Sequence, residues 1–145
     1  MSSLKKSLEK KGYKRISFNI TKTQHLVLKG KLNGCKGRFI LDTGASNSCI
    51  GFDVVPYFRV ETIESETKAA GAGATDMETL KSIDNKLKLG VWKTKNLELV
   101  VFDLSHVNQA LIQHGAKAID GIIGADILMK GEAVIDYKKQ FLYLK

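Results

Sequence analysis

Apolar and polar residues alternate in short runs along most of the chain, which predicts strands rather than long helices. Residues 15–20 alternate strictly, and residues 25–32 alternate again, with Leu26, Leu28 and Leu32 on one side. A period of two is typical of a half-buried strand. Asn33-Gly34 is a strong signal for a tight hairpin turn before an apolar return strand at 38–41. Further strands are predicted at 60–69, 75–83, 86–91, 97–102 and 119–123, with a closing hairpin at 133–135 and 141–144.

Helix signals are few. Residues 2–11 predict a short basic helix with little to anchor it. Ser105 is predicted to cap a short helix that runs to Gln113, and Asp126 to cap a single helical turn that ends at Gly131. Many short strands with one or two short helices predict a mostly-β domain, either a barrel or a folded sandwich.

Chain length and composition predict one folded domain. The chain has 145 residues, 43% of them hydrophobic, and a single proline, and no serine- or glycine-rich linker divides it. This is enough to bury one core. We therefore expect a domain over residues 15–145, preceded by a basic extension over 1–14 that is helical or disordered.

The net charge of +8 is concentrated at the N-terminal end, where Glu9 is the one acidic residue before Asp42. Basic segments attract nucleic acid and acidic lipid by Coulomb attraction. A solvated N-terminus gives the same pattern, and it is the favoured interpretation because aromatic rings do not interleave with the cations. Nucleic acid is therefore not an expected partner.

The remaining composition gives no sign of a metal site, a disulfide framework or a membrane anchor. Cys35 and Cys49 are two cysteines, which is too few for a disulfide framework, and they are expected as small buried thiols, although their state stays open. His25, His106 and His114 show no metal-ligand spacing. The charged N-terminus lacks the apolar core of a signal peptide, and no apolar run is long enough for a span. We expect a cytoplasmic protein, or an exported one if a leader was removed.

Residues 39–46 carry the pattern that indicates chemistry. An apolar strand ends directly at Asp42, which is followed by Thr43 and Gly44 in a turn. A carboxylate at the end of a buried strand is costly unless it is hydrogen-bonded or catalytic. Gly44 permits a tight turn and close approach of another chain or a substrate, while Thr43 and Ser46 can hydrogen-bond to neighbouring backbone. An ordinary strand-to-turn junction would also contain Asp and Gly.

A second element about eighty residues later reduces the weight of that ordinary interpretation. Ile122-Ile123-Gly124 is followed by a short helix at 126–130, and Gly71-Ala72-Gly73 lies between the two elements. Apolar residues before Asp-Thr-Gly-Ala, a later apolar–apolar–Gly and an intervening glycine-rich segment resemble the retropepsin family of aspartic peptidases. The resemblance extends over residues 16–144.

The resemblance implies a β-barrel with one active-site loop per chain and an endopeptidase that works as a homodimer on peptide or protein substrates. In that family two aspartates activate one water, and this chain has a single Asp-Thr-Gly. Asp42 of each copy would then supply one carboxylate across a two-fold axis. Thr43 would lock the paired loops, and no metal or other cofactor is required. The catalytic residues expected are Asp42, Thr43 and Gly44, and the substrate-binding residues are Ala45, Ser46, Gly71, Ala72, Gly73, Ile122, Ile123 and Gly124.

The sequence departs from the viral members of that family at two positions. Those members have an Asp and an Arg that form an ion pair, where this chain has Ser46 and Ala125. Asp120 is interpreted equally well as a support for the active-site loop or as a turn residue. The strand at 141–144 either joins the dimer interface, as in the viral members, or pairs within its own chain.

Two other functions stay open. One is a dimeric binding or assembly domain that keeps the fold without catalysis, although a binding module has no use for two confronted carboxylates. The other is a small β-barrel that binds nucleic acid through the basic N-terminus.

Overall fold

The structure, a computed structural model, describes residues 3–64, 69–71, 74–77 and 79–145. Short strands dominate it, as the alternating sequence predicts. The helices are α1 (Leu4–Lys10), α2 (Ser105–Gln113) and α3 (Ala125–Lys130), with a 3-10 turn at Phe52–Val54. The strands are β1 (Lys14–Ser17), β2 (Asn19–Ile20), β3 (Leu26–Leu32), β4 (Cys35–Leu41), β5 (Cys49–Gly51), β6 (Ile63–Glu64), β7 (Ala69–Gly71), β8 (Ala74–Met77), β9 (Leu80–Leu89), β10 (Trp92–Phe102), β11 (Gly121–Ile123), β12 (Val134–Asp136) and β13 (Phe141–Leu144).

The central sheet closes into a barrel. Its strands are hydrogen-bonded in the order β3-β4-β11-β5-β10-β9, and β9 pairs back onto β3. Within the described residues this gives six strands without a free edge, and the expected mostly-β barrel is confirmed. The strand pair β4–β11 is parallel, as is β5–β10, whereas β11 and β5 run antiparallel.

The predicted hairpin between β3 and β4 is present. Asn33 and Gly34 form its turn with φ angles of 51° and 82°, the left-handed values that a two-residue hairpin requires. The Asn33 amide donates hydrogen bonds of 3.0 Å to Phe58 O and to Asn85 Oδ1. The turn is therefore anchored to the rest of the barrel as well as closing its own strands.

The strands predicted at 75–83 and 86–91 are wrong in their limits, because β9 runs unbroken from Leu80 to Leu89. The polar residues Asp84 and Asn85 fall at the boundary between the two predicted strands. In the structure Asp84 has a φ of 62°, and Asn85 is buried. The Asn85 amide donates hydrogen bonds to Leu97 O at 3.1 Å and to Ser82 Oγ at 3.0 Å. These side-chain hydrogen bonds take the place of the backbone hydrogen bonds that are interrupted there.

The outer face of the barrel is covered on one side by α2. Val27 and Ile40 point outward there and pack against Leu104 and Leu111 in a second apolar cluster, separate from the barrel core. Ser105 is the first residue of α2 and not its cap, which corrects the sequence prediction.

The residue that satisfies the start of α2 is Asp103. Its Oδ1 accepts the Ser105 N–H at 2.8 Å. Hydrogen bonds from the Ser105 hydroxyl and backbone hold the pKa of the Asp103 carboxyl below its ordinary value.

The two ends of the chain meet on a small sheet of order β1-β13-β12. Strand β13 is its centre, so both of its edges are paired within its own chain. Helix α1 precedes β1, with Leu8 buried, and the Tyr13 hydroxyl donates to Glu132 O at 2.8 Å. Among the described residues no helix is long and apolar enough to cross a membrane.

Candidate active site

Strand β4 delivers Asp42 to the end of the barrel. Leu41 is buried as its last residue, and Asp42 is exposed directly after it. The Asp42 N–H donates to Ile123 O at 2.9 Å, extending the β4–β11 ladder by one rung. The Asp42 backbone is therefore fixed by the barrel, while its carboxylate faces outward.

The turn after Asp42 holds one carboxylate oxygen. The Gly44 N–H donates to Asp42 Oδ1 at 2.8 Å, and the Ala45 N–H donates to Asp42 O at 3.3 Å. Within the described residues Asp42 Oδ2 has no hydrogen-bond partner. One oxygen thus orients the group, and the other is free to accept a proton or to bind water.

Residues at the start of α3 hold this loop in place. The Ala125 N–H donates to Ala45 O at 2.7 Å. A Cβ atom at Gly124 would lie 2.6 Å from Ala45 O. Because backbone atoms cannot give way easily, the close contact between the two loops requires glycine at 124.

Ser48 and Asp126 form a second tie between the same two segments. Asp126 Oδ1 accepts from the Ser48 hydroxyl at 2.7 Å, and its two oxygens accept from the Ser48 N–H at 3.0 and 3.1 Å. The Ser48 hydroxyl oxygen in turn accepts the Gly124 N–H at 2.9 Å. The sequence prediction that Asp126 caps α3 is wrong, because Gly124 is the N-cap and Asp126 lies in the first turn.

Sequence analysis missed Ser48. It lies between the exposed Asn47 and the buried Cys49, and is itself 1% exposed. A buried polar residue at the start of a strand needs a partner, but nothing in the linear sequence identifies that partner as Asp126.

Cys49 lies next to this network as an inert thiol. Burial raises its pKa to about 12, and the charges of Asp126 and Asp42 act in the same direction against a lowering hydrogen bond from the Ile122 backbone. A thiol that stays protonated is a poor nucleophile. Cys49 is therefore a packing residue.

The predicted substrate-binding residues lie in different parts of the structure. Ala45 is half-buried and Ser46 is exposed beside the Asp42 turn, and Gly71 ends β7, where it pairs with Ala74 of β8. Ala72 and Gly73 lie outside the described residues. Ile122 is half-buried against the outer apolar cluster, whereas Ile123 is 1% exposed and belongs to the barrel core. Gly124 contacts the Asp42 loop as described above.

The structure also shows the surroundings of the Asp120 carboxylate and the Thr43 hydroxyl. Asp120 Oδ2 accepts the Arg38 N–H at 2.8 Å, so it supports the β4–β11 junction below the loop rather than the loop itself. Thr43 is exposed, and in the described part of the chain its hydroxyl has no hydrogen-bond partner. That hydroxyl is available to a second molecule.

The chain thus has an exposed aspartate in an Asp-Thr-Gly turn at the barrel end, with its backbone held by Ile123 O and its loop packed against Gly124. The sequence profile of the aspartyl protease family matches residues 28–127, which include both segments. This chain belongs to the aspartyl protease family. Among curated protein sequences none matches it significantly.

Solved structures of retropepsin-like proteins resemble this aspartyl protease family member over most of its length. A retropepsin-like aspartic protease from Rickettsia conorii is 18% identical with a TM-score of 0.59, covering 92% of this chain and 89% of that one. EIAV protease in complex with the inhibitor HBY-793 is 18% identical with a TM-score of 0.60, covering 81% and 98%. The retroviral protease-like domain of Ddi1 from Leishmania major is 18% identical with a TM-score of 0.59, covering 88% and 90%. The barrel of this aspartyl protease family member is therefore retropepsin-like.

Proposed function

We propose that the protein is a homodimeric aspartic endopeptidase in which Asp42 of each copy supplies one of two catalytic carboxylates. The observation that carries the proposal is the presentation of Asp42. Its backbone is fixed by Ile123 O and its Oδ1 by the Gly44 N–H, and Oδ2 faces outward unpaired within the described chain. A carboxylate so oriented is suited to activating water.

A second copy is needed because the chemistry uses two carboxylates. Asp-Thr-Gly occurs once in the chain. Two carboxylates at close range share one proton, so that one is ionised and the other is protonated. A two-fold axis beside Asp42 would generate this pair from identical loops.

The paired carboxylates would hydrolyse a peptide bond without a covalent intermediate. The ionised Asp42 takes a proton from the bound water as its oxygen attacks the carbonyl carbon, and the protonated Asp42 donates to the carbonyl oxygen. In the resulting tetrahedral gem-diol, the Asp42 that took the water's proton donates it to the nitrogen, the C–N bond breaks, and a hydroxyl proton returns to the other Asp42. The products are one carboxylic acid and one amine, which accounts for the atoms of the water and the peptide.

The loop at Asp42 is the surface that we propose for the dimer contact. Thr43 is exposed with its hydroxyl unpaired in the described chain, as a residue that bonds across the axis would be. Strand β13 lies between β1 and β12 of its own chain. We therefore expect the dimer to form without β13 as a shared edge strand.

We expect an extended polypeptide to lie between the Asp42 pair and the two-stranded β7–β8 segment. Extended peptides bind by backbone hydrogen bonds, with pockets for alternate side chains. Ile122, the more exposed of the two predicted pocket residues, is the better candidate for such a wall.

Cleavage of a mixed peptide library from about pH 3 to about pH 8 tests the proposal, with wild type compared with Asp42→Asn. Asp84→Asn is the matched control, because Asp84 is exposed, has a φ of 62° that asparagine tolerates, and lies on β9. Sedimentation gives the dimer mass of each sample.

Cleavage by wild type and Asp84→Asn that is lost in a dimeric Asp42→Asn is the expected result. Equal cleavage by all three proteins would assign the activity elsewhere and overturn the proposal. A stable wild-type dimer that cleaves nothing would favour the non-catalytic binding domain.

A further inference from the structure

Four lysines form a row across adjacent strands on the outside of the barrel. The strand registers place Lys93 of β10 opposite Lys88 of β9, Lys88 opposite Lys31 of β3, and Lys31 opposite Lys36 of β4. All four side chains are exposed. With strands about 4.8 Å apart, the row extends about 14 Å across the sheet.

A second pair of cations lies beside this row. Lys29 of β3 is opposite Arg38 of β4, two residues along each strand from Lys31 and Lys36. Lys86 and Lys95 line a groove together with Lys88 and Lys93. We call this surface the lysine face, consisting of Lys29, Lys31, Lys36, Arg38, Lys86, Lys88, Lys93 and Lys95.

The lysine face is electrostatically unfavourable in the free protein. Like charges directly opposite each other on neighbouring strands destabilise a sheet. Among the described residues the ion pair formed is that of Lys81 with Glu98, neither of which belongs to the face. Within the described residues, Asp120 is the carboxylate that lines the grooves along this face. One negative charge thus faces the eight cations of the lysine face, and an external polyanion would relieve the remaining repulsion.

The shape of the face suits an elongated anion. A groove of about 590 Å³ is lined by five cations and one carboxylate, together with three glycines. The charged residues are Lys29, Lys31, Lys36, Arg38, Lys88 and Asp120. This groove continues on one side into a groove of about 470 Å³, which shares Lys31 and Lys88, and on the other into one of about 330 Å³, which shares Lys29 and Arg38. A continuous basic track matches a regularly charged polymer better than a compact anion.

The residue types favour contact with a charged backbone over contact with exposed bases. Lysine binds phosphate as a point charge without a fixed planar geometry, which suits sequence-independent neutralisation of backbone phosphates, and Arg38 is the one arginine among the eight residues. No aromatic ring lines the three grooves, so base stacking of a single strand has no platform there. We propose that the lysine face binds the phosphate backbone of double-stranded nucleic acid without sequence specificity.

This binding site is distinct from the proposed active site. Lys36 and Arg38 lie on β4, six and four residues before Asp42. At the rise of an extended strand, they are about 20 and 13 Å from Asp42 along the chain. The inference does not depend on peptidase activity. It is tested in the Asp42→Asn background, so that cleavage cannot intervene.

Fluorescence anisotropy of labelled duplexes of about 20 base pairs, DNA and RNA of one sequence, measures the binding over a salt series. The face variant is Lys31→Glu with Lys88→Glu. The control is Lys138→Glu with Lys139→Glu, both exposed in the turn between β12 and β13, which changes the net charge equally. We expect the face variant to bind about tenfold or more weakly and its salt slope to fall by about 2, with the control within about threefold of the parent. Binding of either the DNA or the RNA duplex in this pattern supports the proposal. The duplex that binds more tightly identifies the kind of nucleic acid that the lysine face prefers.

Three results would overturn the proposal. The first is absence of binding by the parent at about 50 mM salt. The second is an equal loss of affinity in the face variant and the control variant. The third is displacement of the labelled duplex by phosphatidylserine vesicles or polyglutamate at a lower concentration of charge than unlabelled duplex requires. If the Glu variant does not fold, Lys36→Gln with Lys93→Gln removes both ends of the row without charge reversal and is judged by the same criteria. The melting temperature of each folded face variant should be equal to or above that of the parent, since repulsion is relieved.

Discussion

The hydroxyl of Ser48 donates a 2.7 Å hydrogen bond to Asp126 Oδ1 across 78 positions of the chain. The same hydroxyl oxygen accepts the Gly124 N–H. One small side chain thus ties the segment after the Asp42 turn to the turn before α3. Since Ala45 and Ala125 are also hydrogen-bonded, the position of the Asp42 loop depends on both segments.

Replacing Ser48 by alanine should destabilise the protein by about 1–3 kcal/mol, because the buried Gly124 N–H loses its acceptor. Chemical denaturation measures this change. In peptide cleavage we also expect a lower turnover, as the Asp42 loop loses one of its ties. A variant with unchanged stability would show that Ser48 does not brace the loop.

Asp126 variants separate the carboxylate's hydrogen bonds from its charge. Asp126→Asn retains an oxygen that can accept the Ser48 hydroxyl, the Ile127 N–H at 2.9 Å and the Ser48 N–H at 3.1 Å. Its amide nitrogen cannot accept the second bond from the Ser48 N–H, at 3.0 Å. We expect Asp126→Asn to cost about 1 kcal/mol and Asp126→Ala about 2–3 kcal/mol. In a double-mutant cycle with Ser48→Ala, additive effects would contradict a direct coupling.

Gly124→Ala tests the close contact between the two active-site segments. The added methyl would overlap Ala45 O, whereas a methyl at Gly115 would meet open space but be strained by a φ of 78°. Both variants should lose about 1–3 kcal/mol, for steric reasons at 124 and conformational ones at 115. Only Gly124→Ala should lower turnover in peptide cleavage, and a similar loss in Gly115→Ala would mean that stability alone is responsible.

Thiol labelling at about pH 8 should distinguish the two cysteines. Cys35 is half-exposed and should react in the native protein, whereas Cys49 should react after unfolding. Cys35→Ser leaves Cys49 as the one thiol of the chain and serves as the control. Rapid labelling of native Cys35→Ser would contradict the burial of Cys49.

The raised pKa of Cys49 also predicts an alkaline loss of stability. The thiol pKa is about 12 in the folded chain against an ordinary value of 9.0. Below about pH 9 both states keep the proton, and between about pH 9 and 12 the unfolded chain alone releases it, so folding stability falls as pH rises. Cys49→Ala should show a shallower decline in the free energy of unfolding over this range than wild type. Parallel curves would exclude the contribution.

Leu8→Ala tests whether α1 contributes to the fold. Leu8 is 7% exposed, whereas Leu4 on the same helix is 47% exposed. We expect Leu8→Ala to cost about 2 kcal/mol and the control Leu4→Ala less than about 0.5 kcal/mol in denaturant unfolding. Equal effects would indicate that α1 does not pack on the domain.

Local features of the chain can be predicted from its sequence. Alternating residues predicted strands, Asn33-Gly34 predicted the hairpin, and the Asp-Thr-Gly turn with the later Ile122-Ile123-Gly124 indicated the family. These features are readable because side-chain periodicity and turn chemistry act between near neighbours in sequence. The limits of β9 were wrong because Asn85 restores the strand through a bond to Leu97, a contact outside the reach of local pattern.

Contacts between residues far apart in the sequence follow from the tertiary structure. The pairing of Ser48 with Asp126, the enclosure of β13 between β1 and β12, and the row from Lys93 to Lys36 depend on strand order and register. Sequence analysis placed the basic charge at the N-terminus, whereas the barrel gathers lysines from residue 29 to residue 95 onto one face. Closure of β9 onto β3 is the step that does this, because it brings strands more than fifty residues apart within one hydrogen-bonded ladder.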